Sequence, residues 1–173
     1  ETYFCTGSQL VGKRNIGCSH VHGNIDLKNA VAKSCNVAMM NIAFNEGDEA
    51  FYQYQNLFGF GRKTGIDLPG ESAGLIHSEN QLSSRSTELA CASFGQGYTC
   101  TMIQEIAAIC SVINGGYYYQ PHVVSKILDE NGNVVKNMEP VVLKQTVSSD
   151  VSALIRSYMG TVGKVAENLL KRQ

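Results

Sequence analysis

The 173-residue sequence lacks tryptophan, has only three prolines, and contains no uninterrupted run of 18 or more apolar residues. Without such a run, no segment of this sequence has the composition of a membrane-spanning helix. The first residues, Glu1 to Cys5, also lack the basic start and apolar stretch of a signal peptide. We therefore expect any export signal or membrane anchor to lie outside this chain, and we interpret its two ends as the boundaries of a fragment.

An excess of charge of one sign is also missing. Fourteen basic residues face fifteen acidic ones, and no basic run is longer than Lys171-Arg172. Nucleic-acid and membrane surfaces are normally built from clustered basic residues, so neither kind of partner is expected. Because 43% of the residues are hydrophobic, the chain can form a packed core as one domain or as part of a larger one.

Six cysteines are many for this length. Cys91, Cys100 and Cys110 lie among apolar or small residues and are interpreted as small buried side chains. The other three form a spaced pattern with a histidine, Cys5-x12-Cys18-x3-His22-x12-Cys35. Thiolate and imidazole are good ligands for Zn²⁺, and the Gly-rich segment 1–24 is expected to be an irregular loop, with at most one short hairpin, that needs a cross-link.

The cysteine pattern therefore predicts a structural zinc site with three thiolates and one imidazole, closed to further ligands. Two other interpretations stay open at this point. Cys5 and Cys18 could form a disulfide in an extracytoplasmic setting, or all three thiols could be free. His20 also competes with His22 for the fourth position.

Ser34-Cys35-Asn36 lies between two helical patterns. Asp26 is a suitable N-cap for a helix over 27–32, and 37–44 is apolar almost all round. Residues i and i+2 do not share a face of a continuous helix, so Ser34 and Asn36 can act together only if the chain bends between them. Such a bend would direct Cys35 to the opposite side. The competing interpretation is that the two polar residues only cap helices.

Further elements follow from local patterns. A short amphipathic helix is expected over 50–58. A buried helix over 102–113 would begin after Thr101, with Gln104 in a capping box, and end at Asn114-Gly115-Gly116. A hairpin is expected around Asn131-Gly132, and one helix from Ser148 or Ser149 to about Met159 would precede a second over 165–170.

Several short motifs follow one another along nearly the whole chain: Tyr3-Phe4-Cys5-Thr6-Gly7, His22-Gly23, Ser34-Cys35-Asn36, 58–71, Ser93-Phe94-Gly95-Gln96-Gly97 with Thr101 and Gln104, and Asn114-Gly115-Gly116. In residues and in order, these stretches resemble the transpeptidase domain of class B high-molecular-weight penicillin-binding proteins, particularly the sporulation-type and elongation-type members of Gram-positive bacteria. Each stretch alone is weak, but the ordered series is specific.

The resemblance implies an α/β, mostly helical fragment of the serine transpeptidase (β-lactamase-like) fold with one β-hairpin. It implies that Ser34-Cys35-Asn36 is the second of three active-site motifs. In such enzymes a Ser-x-x-Lys serine attacks a peptidoglycan stem peptide, or the amide of a β-lactam, and forms an acyl-enzyme. By this resemblance Ser34 would relay a proton between the nucleophile's lysine and the leaving amine. Asn36 would hydrogen-bond the substrate's amide carbonyl.

Two family features are absent or misplaced. None of the serines is followed by lysine three residues later, so the sequence contains no Ser-x-x-Lys nucleophile. The third motif, Lys-Thr-Gly, occurs once as Lys63-Thr64-Gly65, but it precedes the turn sequence 67–71 and not a core strand. We interpret this copy as a structural look-alike and expect the catalytic triplet beyond Gln173.

The sequence thus predicts a central part of a D,D-transpeptidase that is inactive alone. Its segments would be a Cys/His-rich loop with the first helix (1–35), a helical core (36–120), a hairpin region (121–146) and C-terminal helices (147–173). The longer protein would act on peptidoglycan and bind β-lactams at the extracytoplasmic face of the membrane, while the fragment would be soluble and could pair with a second copy. The alternative is a zinc-knuckle structural or binding module without a catalytic role.

Overall fold

The computed structural model describes residues 1–170, and for 164–170 it describes the helical backbone alone. The helices are α1 (Leu27–Ala32), α2 (Asn36–Glu46), α3 (Asp48–Leu57), α4 (Thr87–Ala92), α5 (Met102–Ile113) and α6 (Ser149–Leu170), with a 3₁₀ turn at Glu79–Leu82. The strands are β1 (Thr2–Cys5), β2 (Ser8–Val11), β3 (Arg14–Gly17), β4 (Gly23–Asp26), β5 (Tyr117–Tyr119), β6 (Lys126–Leu128), β7 (Val134–Asn137) and β8 (Val142–Gln145). The chain is therefore a mixed α/β structure, as predicted.

The chain divides into two compact units. The first contains Glu1–Tyr54, Ile76–Tyr98 and the part of α6 from Leu154 onward, and the second contains Gln55–Leu75 and Thr99–Ala153. Each unit takes residues from more than one of the segments predicted from sequence, because segments distant in the chain pack together. Each is described separately below.

In the first unit, the prediction of an irregular loop over 1–24 is wrong, because this segment contains β1 and the start of β4 as well as the one short hairpin that was allowed for, β2–β3. Strand β1 pairs antiparallel with β4, and β2 forms a hairpin with β3. Tyr3 and Cys5 on β1 are buried while Thr2 and Phe4 are exposed, which is the alternation of a half-buried strand. Each of these strands has only four residues, and an alternating pattern this short is difficult to recognise in a sequence.

The core of this unit lies between the strands and α2. The buried residues of the largest cluster are Tyr3, Cys5, Val11, Ile25, Ala30, Cys35, Val37, Ala38, Met40 and Ala90. A second cluster joins Ala43 of α2 to Leu82, Leu89 and Ala92. Three of the helix's buried residues, Val37, Met40 and Ala43, recur at the spacing of one helical face, so α2 is the element on which the rest of the unit packs.

In the second unit, α5 begins and ends as predicted. The Thr101 hydroxyl accepts from the Gln104 N–H, and the Gln104 side chain accepts from the Thr101 N–H, so the capping box is formed. The hairpin around Asn131-Gly132 is also confirmed, since β6 pairs antiparallel with β7. A further antiparallel pair, β5 with β8, joins strands that are not consecutive in the chain and was not predicted.

The prediction that α5 is buried is wrong for the described part of the chain. Met102, Ile106, Ile109 and Ile113 are exposed, with Met102 at 80%, while the buried face carries the small or polar residues Gln104, Ala107, Ala108 and Ser111. The pattern was apolar on most faces, but composition alone does not say which face is covered. That a second copy covers the exposed face stays a prediction.

The last helix is continuous. Sequence patterns predicted one helix ending near Met159 and another over 165–170, but α6 runs without a break over Ser149–Leu170. Ser148 caps it, because its hydroxyl accepts from the Val151 N–H. Residues 171–173 of the predicted C-terminal segment lie outside the described residues. Within 1–170, no helix has the length and apolar character needed to cross a membrane.

Candidate active site

Ser34 lies on a sharp bend between α1 and α2. The Ser34 N–H donates to the Val31 carbonyl and the Cys35 N–H to the Ala30 carbonyl, which is the pair of bonds that ends a helix in a Schellman motif. Ser34 therefore occupies the left-handed position, with φ of 50°, which glycine usually fills. The chain begins α2 two residues later, at Asn36. The required bend is present, and Ser34 is exposed while Cys35 is fully buried.

Asn36 opens α2, but its side chain does not cap it. The N-cap residue is Cys35, and within the described part of the chain no side chain makes a capping hydrogen bond at this helix end. The Asn36 Nδ2 instead donates to the Gly17 carbonyl at 3.0 Å. Gly17 ends β3, so the amide of Asn36 is oriented by the β2–β3 hairpin. Capping alone therefore does not account for Ser34 and Asn36.

The four predicted metal ligands meet behind this bend. The Sγ atoms of Cys5, Cys18 and Cys35 and one imidazole nitrogen of His22 all lie within 4.8 Å of one another. Cys18 Sγ is 3.6 Å from His22 Nδ1 and 3.9 Å from Cys35 Sγ. Tetrahedral zinc with Zn–S near 2.3 Å and Zn–N near 2.0–2.1 Å places two sulfurs about 3.8 Å apart and a sulfur and nitrogen about 3.6 Å apart. The donor set and the two distances from Cys18 thus fit tetrahedral zinc.

His20, the rival fourth ligand, contributes in another way. Its ring is outside the ligand cluster among the described residues, and its backbone carbonyl accepts from the Cys5 thiol at 3.6 Å. All six cysteines are free thiols, so the Cys5–Cys18 disulfide that the sequence left open as an alternative is not formed in this structure.

The local environment shifts the pKa values of the Cys18 and Cys35 thiols in opposite directions. Burial acts to raise the pKa of the Cys18 thiol, but backbone N–H groups of Val37, His20 and Asn36 stabilise its thiolate and bring the pKa down to about 7. Burial raises the pKa of Cys35 to about 12, and the nearby Cys5 and Cys18 thiols add to this. Burial, followed by the positive charge of Lys33, lowers the pKa of His22 and favours its neutral form. Neutral imidazole is the form that binds a metal.

The Lys63-Thr64-Gly65 triplet is held in an irregular loop and not on a strand. Thr64 is buried, and its N–H and hydroxyl both donate to the carboxylate of Glu71. The Gly65 N–H donates to the same carboxylate at 3.1 Å. Thr64 and Gly65 therefore bind Glu71 in the turn that follows the triplet, in agreement with a structural role.

Sequence patterns missed a second polar contact near Asn36. Gln9 on β2 donates from Nε2 to Asn41 Oδ1 at 3.3 Å, which joins the β2–β3 hairpin to α2. The available signal was Asn41 itself, a polar residue within an otherwise apolar helix. Gln9 carried no signal, because its strand was not recognised.

Several known proteins are similar to this chain over most of its length. Stage V sporulation protein D of Bacillus subtilis is 34% identical over 142 residues, covering 82% of this chain and 22% of that protein. The penicillin-binding protein PbpB of Mycolicibacterium smegmatis is 31% identical over 130 residues, covering 75% of this chain and 20% of that protein. The chain spans about a fifth of the length of these curated relatives.

Solved structures give the same fold. Penicillin-binding protein 3 from Mycobacterium tuberculosis, in complex with aztreonam, matches with a TM-score of 0.82 and 26% identity, covering 94% of this chain and 36% of that chain. A peptidoglycan synthetase from Bifidobacterium adolescentis matches with a TM-score of 0.86 and 23% identity, covering 97% of this chain and 31% of that chain. A model of the penicillin-binding protein transpeptidase domain matches residues 1–172. This chain therefore belongs to the penicillin-binding protein transpeptidase domain family.

Proposed function

We propose that this chain supplies the second active-site motif of a peptidoglycan D,D-transpeptidase, which forms stem-peptide cross-links through an acyl-enzyme. The observation that carries the proposal is the bend at Ser34, which exposes a serine in a left-handed conformation two residues before an asparagine held by a backbone carbonyl. Backbone strain of this kind is concentrated at functional sites. Membership of the transpeptidase family supplies the reaction class.

Each side chain has a separate role in the proposed reaction. Ser34 has a hydroxyl that both donates and accepts, so it can pass a proton from the lysine beside the nucleophile to the leaving amine. Asn36 donates one amide N–H to Gly17 and can offer the second to the substrate carbonyl. The serine nucleophile and the catalytic Lys-Thr-Gly would come from outside residues 1–173, and the chain alone would not form an acyl-enzyme.

Relatives of this chain support the proposed substrate class. Structures of penicillin-binding protein 3 from M. tuberculosis contain aztreonam and ampicillin. We therefore assign stem peptides and β-lactams to the longer protein as ligands, and the extracytoplasmic face of the membrane as its location. A binding module without catalytic role is less well supported, because the family match extends over residues 1–172.

Labelling with a fluorescent penicillin tests this function. The longer protein, containing this chain and the adjoining parts of the transpeptidase domain, should be labelled, whereas residues 1–173 alone should not. Ser34→Ala in the longer protein should slow acylation by about 100-fold or more, since proton transfer by a positioned side chain contributes about 10²–10⁴. Ser84→Ala, at an exposed serine outside the site, is the matched control. Labelling of the isolated chain, or a folded Ser34→Ala variant with unchanged acylation, would contradict the proposal.

We also propose that Cys5, Cys18, His22 and Cys35 hold one structural Zn²⁺. Its chemistry would be structural, because all four positions are taken by protein ligands. The cluster would then fix Cys35, and hence the bend at Ser34, from behind. Elemental analysis should give about one zinc per chain, and Cys35→Ser should remove it while Cys110→Ser should not. If the protein is metal-free and mass spectrometry detects a Cys5–Cys18 bond, the zinc proposal is wrong and the disulfide interpretation is correct.

A further inference from the structure

The β2–β3 hairpin contacts α2 through side-chain amides at two points. Asn36 donates to the Gly17 carbonyl at 3.0 Å, and Gln9 donates to Asn41 Oδ1 at 3.3 Å. Gly17 pairs with Ser8, the neighbour of Gln9, in the hairpin register. The two contacts therefore come from adjacent rungs of one ladder and reach the same helix five residues apart. Together they fix both the position and the rotation of the hairpin on α2.

Asn41 is held so that it can accept from Gln9. Its Nδ2 donates to the Val37 carbonyl at 2.9 Å, within its own helix. That bond directs Oδ1 away from Val37, and Oδ1 can only accept. Gln9 Nε2 supplies the donor. The Gln9–Asn41 contact thus depends on the amide group of Gln9 and not merely on its length.

The other end of the Gln9 amide is not satisfied. Its Oε1 is buried and has no hydrogen-bond partner among the side chains and backbone that the structure describes. A buried acceptor without a partner is unfavourable, and an apolar side chain of the same shape would avoid this loss. Local conflicts of this kind are concentrated where function requires them. The Gln9 side chain is therefore better explained by the donor that it offers to Asn41 than by packing.

From these contacts we infer that Gln9 is a positioning residue for Asn36. By fixing the hairpin on α2, Gln9 fixes the Gly17 carbonyl, and this carbonyl selects the NH₂ end of the Asn36 amide. The substrate carbonyl then meets the second N–H of Asn36 in a defined direction. The inference rests on the proposed role of Asn36 in binding the substrate, and it assigns no contact between Gln9 and the substrate.

Gln9→Met in the longer protein tests this inference. Methionine keeps the length of the side chain but removes both the Nε2 donor and the unpartnered Oε1. Removing the unpartnered Oε1 should stabilise the fold and depriving Asn41 Oδ1 of its donor should destabilise it, so the melting temperature should change little. The rate constant of the acylation step should nevertheless fall by about 10- to 100-fold, because small displacements of a positioning group cost that much. Gln53→Met is the matched control, since Gln53 is an exposed amide on α3 that donates to Glu49.

A double-mutant cycle separates positioning from general structure. If Gln9 acts through Asn36, Gln9→Met should slow acylation in the wild-type background and have no further effect in Asn36→Ala. Asn41→Leu removes the same hydrogen bond by deleting its acceptor. It replaces Gln9→Met in the cycle if Gln9→Met folds poorly. The Gln9→Met/Asn36→Ala double variant, or Asn41→Leu/Asn36→Ala in its place, should be acylated no more slowly than the slower of its two single variants.

The outcomes are distinguishable. The role of Gln9 alone would be overturned if the wild type is acylated and Gln9→Met is acylated at the same rate. It would also be overturned if Gln9→Met slows acylation by the same factor in the wild-type and Asn36→Ala backgrounds. A folded wild-type protein that penicillin does not acylate would overturn the proposed function, and the positioning role with it.

Discussion

The Sγ atoms of Cys18 and Cys35 lie 3.9 Å apart, and Cys35 directly follows Ser34. The thiol cluster is thus one residue away from the exposed serine of the bend. Cys35 also serves as the N-cap residue of α2, whose first residue is Asn36. We therefore expect a change in the cluster to reach both proposed active-site side chains through the backbone of Cys35.

Metal removal should accordingly loosen the bend. We expect a chelator to lower the melting temperature of the zinc-loaded protein and to increase hydrogen exchange at the amides of Ser34 and Cys35, because structural zinc contributes folding free energy. Mass spectrometry of peptides after exchange measures this. Exchange at α5 is the internal reference, since α5 belongs to the other compact unit. Equal protection at the bend before and after chelation would contradict the link.

Ser34→Gly should separate stability from activity. Glycine adopts positive φ without the penalty of about 1–2 kcal/mol that a side chain carries there, although it also loosens the unfolded chain. We expect a gain of about 0.5–1 kcal/mol in the free energy of unfolding, measured by urea titration, together with the loss of acylation seen for Ser34→Ala. Ser34→Ala keeps the strain and should not be stabilised. A Ser34→Gly variant that is less stable than wild type would argue against strain at this position.

The Lys63-Thr64-Gly65 triplet should be dispensable for the chemistry. Because Thr64 is buried and bound to Glu71, Lys63→Ala in the longer protein should leave the penicillin acylation rate within about 2-fold of wild type. Ser34→Ala, tested in parallel, gives the size of a catalytic loss. A loss of comparable size for Lys63→Ala would reverse the structural interpretation of this triplet.

Gln104 should be among the most sensitive positions of the second unit. Its side chain is fully buried, donates to the Arg62 and Ala73 carbonyls and accepts from the Thr101 N–H. Gln104→Leu leaves these three groups without partners, at about 1–3 kcal/mol for each buried one, so we expect a loss of about 2–5 kcal/mol. Thr101→Ala removes only the cap and should cost about 1 kcal/mol. Urea unfolding of both variants tests the order, and equal losses would contradict it.

The loop over 64–71 should weaken in acid. Burial acts to raise the pKa of Glu71, but hydrogen bonds from the Thr64 hydroxyl and from the Thr64 and Gly65 N–H groups hold it below the ordinary 4.5. A carboxyl with a lowered pKa stabilises the folded state above its unfolded pKa, and this contribution disappears as the pH falls through its folded pKa. We expect wild type to be more stable than Glu71→Gln at pH 7 and this advantage to vanish below the folded pKa. A difference independent of pH would show that charge is not involved.

Local sequence patterns predicted much of this structure. The bounds of α5, its capping box, the turn at Asn131-Gly132 and the bend before Asn36 all depend on hydrogen bonds between residues close in the chain. The spacing of Cys5, Cys18, His22 and Cys35 also predicted a set of residues that the fold brings within 4.8 Å.

Other features depend on distant residues. Strand β1 pairs with β4, and β5 with β8, across connections that no short pattern specifies. The Gln9–Asn41 contact joins residues 32 positions apart.

The sequence by itself determined the family, the helix caps, the tight turns and the candidate ligands, because each is encoded by residue types at short or fixed spacing. Only the tertiary structure decided which strands pair, which face of α5 is exposed and which carbonyl orients Asn36. These depend on the free energy of packing segments far apart in the chain, and that free energy is a property of the whole fold and not of any one segment.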